Sequence, residues 1–193
     1  MGFTIKKNEG KKFEPVPAGA HPAICYMLVD LGTHHNPKFD KTARKAVIGF
    51  EFPEITERRA DGSEFRRSLS KRYTVSMHEK SSLRGMLESW RGKKFSDEEL
   101  AEFDLKSILG KPCLVNVITS MVDGRERSDI QSIGPLPKSM QNAYKLDGSV
   151  VYYSMEDNGF ELPEALPEWI KTAISESIEF KKAAESAGDD LPY

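Results

Sequence analysis

Six cations fall within fifteen residues of this 193-residue chain: Arg58, Arg59, Arg66, Arg67, Lys71 and Arg72. Aromatic residues lie among and around them, at Phe39, Phe50, Phe52, Phe65 and Tyr73. Guanidinium and ammonium groups neutralise phosphates, and aromatic faces stack on bases with little regard to sequence. The pattern therefore points to an unpaired nucleic-acid strand as a ligand. The expected contacts are Arg66, Arg67 and Arg72 on phosphate, assisted by Arg58, Arg59 and Lys71. Phe65, flanked by polar residues, is the leading candidate for stacking, followed by Phe50 or Phe52 and by Tyr73. Phe50 and Phe52 share a strand face with Ile48, so at least one of them is expected in the core.

A second chemistry sits in residues 189–193, read Asp189, Asp190, Leu191, Pro192, Tyr193. Proline narrows the conformations that docking must order. An aromatic side chain can fill a pocket while carboxylates meet a basic rim. These five residues are expected to bind a protein partner. The competing reading is a solvated acidic tail.

Catalysis finds little support. His21, His34, His35 and His78 lack the spacing of zinc motifs, and Cys25 and Cys113 are remote from them and read as small core residues. Asp97, Glu98, Glu99 and Glu102 read as helix N-terminal charges rather than a metal pair. Gly32, Gly49 and Gly62 are isolated, so there is no phosphate-cradling loop. The expectation is a binding protein, not an enzyme, with no cofactor and no metal.

Bulk composition agrees. Hydrophobic residues make up 38% and charged residues 30%, as in a soluble globular protein. No apolar run approaches the roughly 20 residues of a membrane helix, and residues 1–7 lack a signal-peptide core. A reducing, cytoplasmic setting and no membrane partner are expected. The net charge of −2 hides an asymmetry: residues 155–193 carry ten acids and three bases, leaving residues 1–154 at +5. A basic body with an acidic extension suits a polyanion binder with an interaction tail.

The elements that must position these groups can be read from periodicity. Residues 1–19 form a polar basic arm. Residues 20–31, 45–52 and 66–77 read as three strands, with loops over 32–44 and 54–65 and Pro53 ending the second strand. Leu83, Met86, Leu87 and Trp90 repeat at helical spacing, with Ser81 or Ser82 as cap and Gly92 after the end. Ser96 and Glu99 form a capping-box pattern for a short second helix. Residues 113–121 and 127–133 read as two strands joined at Asp123-Gly124. Residues 150–153 are an edge strand or a sticky linker, and 163–184 a helix with Trp169, Ile170, Ala173, Ile174 and Ile178 inward.

Three strands, a helical insertion and a hairpin make the order of an OB-fold, a mainly β, five-stranded Greek-key barrel. The expected organisation is an arm over 1–19, the barrel over 20–137, an extension with a helix over 138–185 and an acidic tip over 186–193. Another small barrel or α+β domain has the same order of elements.

Residues 189–193 resemble the Asp-Asp-Ile-Pro-Phe tip of bacterial single-stranded DNA-binding proteins. Leu191 and Tyr193 are the departures, and the Tyr193 hydroxyl bears on any pocket shaped for phenylalanine. The segments Leu69-Ser70-Lys71-Arg72-Tyr73-Thr74, His78-Glu79-Lys80, Leu83 to Trp90 and Gly110-Lys111-Pro112-Cys113-Leu114-Val115-Asn116-Val117 resemble small bacteriophage single-stranded DNA-binding proteins. The resemblance implies a role in DNA replication, recombination or repair inside a bacterial host, with the tip recruiting helicase, primase, exonuclease or recombination mediators. Oligomeric state stays open, a homo-oligomer included. The alternatives are a strand-annealing recombination protein, a protein adaptor built on the same barrel and, more distantly, a nuclease.

Overall fold

The structure is a computed structural model that describes residues 14–189. The first thirteen residues of the basic arm, and residues 190–193 of the acidic tip, lie outside the described residues.

Strand β1 (Gly19–Asn36) and strand β2 (Lys41–Arg58) are both 18 residues long and pair antiparallel from Ile24↔Glu51 to Asn36↔Lys41. The loop expected over 32–44 is therefore mostly ladder, and only residues 37–40 turn. Its outer half is polar and solvated, so it lacks the apolar alternation that marks a half-buried strand. Thr33 and Thr42 are suited to such a pleat. The second strand also continues past Pro53. The register shifts between Phe52 and Thr56, so Pro53 sits where the ladder is interrupted and its missing N–H costs no bond.

Strand β3 (Glu64–Thr74) pairs with β2 and stops three residues before the expected end at Met77. Helix α1 (Ser82–Arg91) is capped by Ser81, whose hydroxyl accepts from the Leu83 N–H, and ends at Gly92. Helix α2 (Asp97–Ala101) carries the full reciprocal capping box between Ser96 and Glu99. A 3-10 turn spans Leu105–Ile108. Strands β4 (Pro112–Val122) and β5 (Arg125–Gly134) form the hairpin about Asp123 and Gly124.

These strands follow the path β3-β2-β1-β4-β5 in one sheet, and strand β6 (Val151–Tyr153) adds to β1 in parallel. β4 pairs with Gly19 to Ile24 and β6 with Met27 to Val29, so the two share one edge of β1, end to end. At the far ends of the path, β3 meets β5 through Lys71, whose amine donates to the Ile130 carbonyl. The architecture is thus mainly β, a six-stranded, largely antiparallel sheet curled in a barrel-like manner.

Two apolar cores lie on the two faces of β1 and β2. The first holds Cys25, Ile48, Phe50, Phe52, Tyr73, Val115 and Ile133, closed by Leu83, Leu87 and Trp90 of α1. Val16 joins it, and the Val16 carbonyl accepts from the Ser128 hydroxyl, so the end of the arm is packed rather than free. The second core holds Met27, Val29, Leu31 and Val47 under Tyr153, Leu166, Ile170 and Ile174. It is built by β6, the short helix α3 (Met155–Asn158), helix α4 (Glu168–Ser175) and helix α5 (Ile178–Asp189). The single helix expected over 163–184 is two helices. The chain turns at Glu176 and Ser177, and the buried Ser177 hydroxyl accepts the Phe180 N–H at the new start. Gly32, at φ 76°, lets this corner seat on β1: a Cβ there would lie 2.6 Å from the Ser177 Cβ.

Candidate nucleic-acid interface

The three-strand region places its cations and aromatics by strict alternation. Along β3, Arg67, Leu69, Lys71 and Tyr73 face inward, and Arg66, Ser68, Ser70, Arg72 and Thr74 face outward. The inward set is unavailable to a ligand. Tyr73 is buried beside Phe50 and Phe52, both fully enclosed. The stacking roles expected of Phe50, Phe52 and Tyr73 are therefore corrected to core packing, because their strand face is the one α1 closes. Phe50 meets Trp90 edge-on with ring centroids 5.8 Å apart, and Phe52 meets His21 in the same way. Lys71 serves the β3–β5 seam rather than a phosphate.

Most of the expected phosphate contacts have internal partners. Arg58 pairs with Glu64 at 2.8 Å, Arg66 with Glu51 at 2.9 Å and Arg67 with Glu57. Arg66 also donates to the Lys145 carbonyl at 2.7 Å. Arg59 lies over the Phe65 ring at 4.7 Å, so the leading stacking candidate has one face covered by a guanidinium. Arg72 stands apart: it is exposed, and among the described residues it has no carboxylate partner.

An aromatic that periodicity assigns to a buried strand lies beside it. Tyr26 occupies the register shift between Cys25 and Met27, and such a bulge re-aims a side chain. Its ring crosses the outer face over Gly49, and its hydroxyl reaches the Ser68 hydroxyl at 3.4 Å. Gly49 pairs with Ser70, and Arg72 is the next outward residue on β3. Lys45 adds a second cation, donating to the Thr74 hydroxyl at 2.6 Å. The result is a strip of small hydroxyl side chains with a half-buried ring at one side and positive charge along it.

The hairpin tips carry the remaining exposed apolar groups near cations. Phe39, at the β1–β2 turn, is 63% exposed, with the Lys38 amine 5.5 Å from its ring centre and Lys41 following. Met121, near the β4–β5 turn, is 69% exposed and is followed by exposed Arg125 and Arg127. Phe39 was visible as a nearby aromatic; Met121 and Tyr26 carried no signal of function in the sequence.

The C-terminal layer borders this surface with opposite charge. Arg44 is held between Asp30 and Glu156, each at 2.7 Å, and these carboxylates hold its guanidinium protonated well beyond its ordinary range. The Tyr144 hydroxyl bonds Glu54, and the Asp147 N–H donates to Glu51 at 3.1 Å. The segment 144–147 thus lies across the β2 end of the face.

His34 and His35 point to separate partners, the Leu31 carbonyl at 2.9 Å and Asp40 at 3.0 Å. Among the described residues no three His, Cys, Asp or Glu side chains are gathered to hold a metal, and no helix is long and apolar enough to cross a membrane. Cys25 and Cys113 are buried free thiols, and burial pushes Cys25 up to about 12. Of the residues expected to bind a partner, Asp189 ends α5, and Asp190, Leu191, Pro192 and Tyr193 lie outside the described residues. No known family model matches this chain, and no curated protein matches it.

Proposed function

We infer that this chain binds single-stranded DNA without sequence preference, through the outer face of β2 and β3, and performs no catalysis. The observation that carries the reading is the open strip of Ser68, Ser70 and Thr74 with the Tyr26 ring at its side and the unpaired Arg72 upon it. Aromatic stacking and phosphate neutralisation are what a sequence-tolerant site requires, and stacking alone is worth about 1–3 kcal/mol per base. The reading is supported by the strand path β3-β2-β1-β4-β5, by α1 following β3 and preceding β4, and by the Lys71 bond from β3 to β5, each of which an OB-type barrel would have. In such barrels the strand 2–3 face and the loops after strands 1 and 4 form the binding surface, and here both of those turns carry an exposed apolar residue beside cations. Residues 189–193 then serve as a recruitment tip for replication, recombination or repair enzymes in the cytoplasm of a bacterial host. Fluorescence titration with oligo-dT and with duplex DNA at two salt concentrations tests this. Tight, salt-sensitive binding of oligo-dT with weak duplex binding is expected; equal or absent binding rejects the reading.

One observation favours a second reading. Arg58, Arg66 and Arg67 are already neutralised by glutamates, as suits a β-barrel adaptor whose partners are proteins. The adaptor predicts no oligo-dT binding at any salt concentration.

A further inference from the structure

The strip on the outer face of β2 and β3 stops at Ser68, where another stretch of chain crosses the sheet. Glu51 stands opposite Ser68, and residues 141–150 run past it on their way to β6. This stretch has neither helix nor strand, and all of it is exposed except half-buried Tyr144 and Leu146. Neither of those two side chains joins either apolar core. Three hydrogen bonds tie the stretch to the sheet instead. The Tyr144 hydroxyl donates to Glu54, the Asp147 N–H donates to Glu51 at 3.1 Å, and the Lys145 carbonyl accepts from Arg66 at 2.7 Å. A segment held by solvent-facing polar bonds, with no place in a core, opens at a small fraction of the cost of global unfolding.

Arg66 joins these ties to the strip. Its Nη1 donates to Glu51 at 2.9 Å and to the Lys145 carbonyl, using both hydrogens that a guanidinium nitrogen of this kind carries. Lifting the stretch therefore frees one N–H and leaves the ion pair with Glu51 intact. A phosphate oxygen is a stronger acceptor for that N–H than the carbonyl it replaces. We propose, on the basis of the single-strand binding inferred above, that residues 141–150 are a strap that regulates the length of strand this face accepts. Closed, the strap ends the site at Ser68. Lifted, it lets a longer strand continue to Arg66. A short strand gains nothing from lifting, because opening takes the Tyr144 hydroxyl from the Glu54 carboxylate, which then repels phosphate. A long strand makes its full contacts only with the lifted fraction of molecules, so its apparent affinity is reduced by that fraction.

The test compares the full chain with its Tyr144→Phe variant, which keeps the ring and loses the bond to Glu54. Both are titrated at one salt concentration with oligo-dT of about 4 and about 16 residues, the limits of site size for one OB barrel. Tyr144→Phe is expected to tighten binding of the longer oligonucleotide by about two- to ten-fold, the factor that one hydrogen bond is worth. Affinity for the shorter one is expected to stay the same, with the melting temperature confirming that the variant is folded. In the unmodified chain, backbone hydrogen exchange of residues 141–150, followed by mass spectrometry, is expected to speed up with the longer oligonucleotide and not with the shorter. Any other pattern of the two affinities overturns the strap, as does exchange that the longer oligonucleotide leaves unchanged or slows; slower exchange would make the segment a clamp over the strand. Those results leave single-strand binding standing. No binding of either oligonucleotide by the unmodified chain overturns the single-strand reading itself, and the strap with it.

Discussion

The Tyr26 ring lies over Gly49 so closely that a Cβ on residue 49 would come within 2.9 Å of Tyr26 Cε1, and equally close to Met27. The pair sets the height of the outer face: glycine on β2 makes room, and the bulge on β1 supplies the ring. Gly49→Ala is expected to lift Tyr26 away from Ser68 and to cost about 1–3 kcal/mol as an overpacked site. It should also weaken oligo-dT binding more than Tyr26→Phe, which keeps the ring and loses only the bond to Ser68. Chemical denaturation and a titration of both variants check this; an unchanged affinity for Gly49→Ala would remove Tyr26 from the interface.

Arg72 and Arg66 share the outer face of β3 but differ in their partners, and the difference separates binding from stability. Arg72→Ala is expected to leave the melting temperature nearly unchanged, to weaken oligo-dT binding, and to lower the salt slope by about one. Arg66→Ala removes the partner of Glu51, whose side chain is only 14% exposed, so its main effect is on stability. Equal salt slopes for Arg72→Ala and the unmodified chain would contradict the assignment.

At the other end of β1, Gly32→Ala is expected to loosen α4 and α5. The substitution combines a positive φ with a Cβ that meets Ser177, and either effect alone costs on the order of 1 kcal/mol or more. Limited proteolysis should then cut between residues 154 and 178 well before the barrel strands. Uniform sensitivity along the chain would mean that the two cores do not separate.

Glu88 ties α1 to the loop that follows it, Glu99 ties α2 back to α1, and both make stability acid-sensitive. Lys94, then Arg84, holds the Glu88 carboxyl down at about 2; Arg91 and the Ser96 N–H do the same for Glu99. Both ionise near 4.5 when unfolded. Their contribution is therefore complete above about pH 4.5 and lost as pH falls toward 2. The unmodified chain should lose more melting temperature across that window than Glu88→Gln or Glu99→Gln. Parallel curves for all three would show that neither carboxylate matters.

Local chemistry was the legible part of this fold. Ser81, the Ser96–Glu99 box and Asp123-Gly124 each settle their own turn through bonds within a few residues, and the helix and hairpin they bound appear where expected. What local chemistry could not reveal was which faces a distant segment would cover. Val47 lies on the face opposite Ile48, Phe50 and Phe52, yet it too is buried, because α4 and Tyr153 arrive from residues 153–174. Tyr26 points outward because of a one-residue bulge, and nothing in an apolar run marks its position. The pairing of Arg66 with Glu51 and Arg67 with Glu57 depends on the β2–β3 register, which shifts at Phe52. Cations counted along the sequence therefore overstated the charge available to a ligand.

Strand β1 leaves the ribosome early, yet its edges are finished by neighbours made much later. Its hairpin mate β2 follows directly, β4 comes after two helices, and the Met27 to Val29 stretch waits for Val151 to Tyr153. Non-local pairing of this kind slows folding, and an unfinished edge is open to association with other chains until it is covered. Nascent chains stalled before residue 151 should accordingly recruit holding chaperones, and full-length chains should shed them.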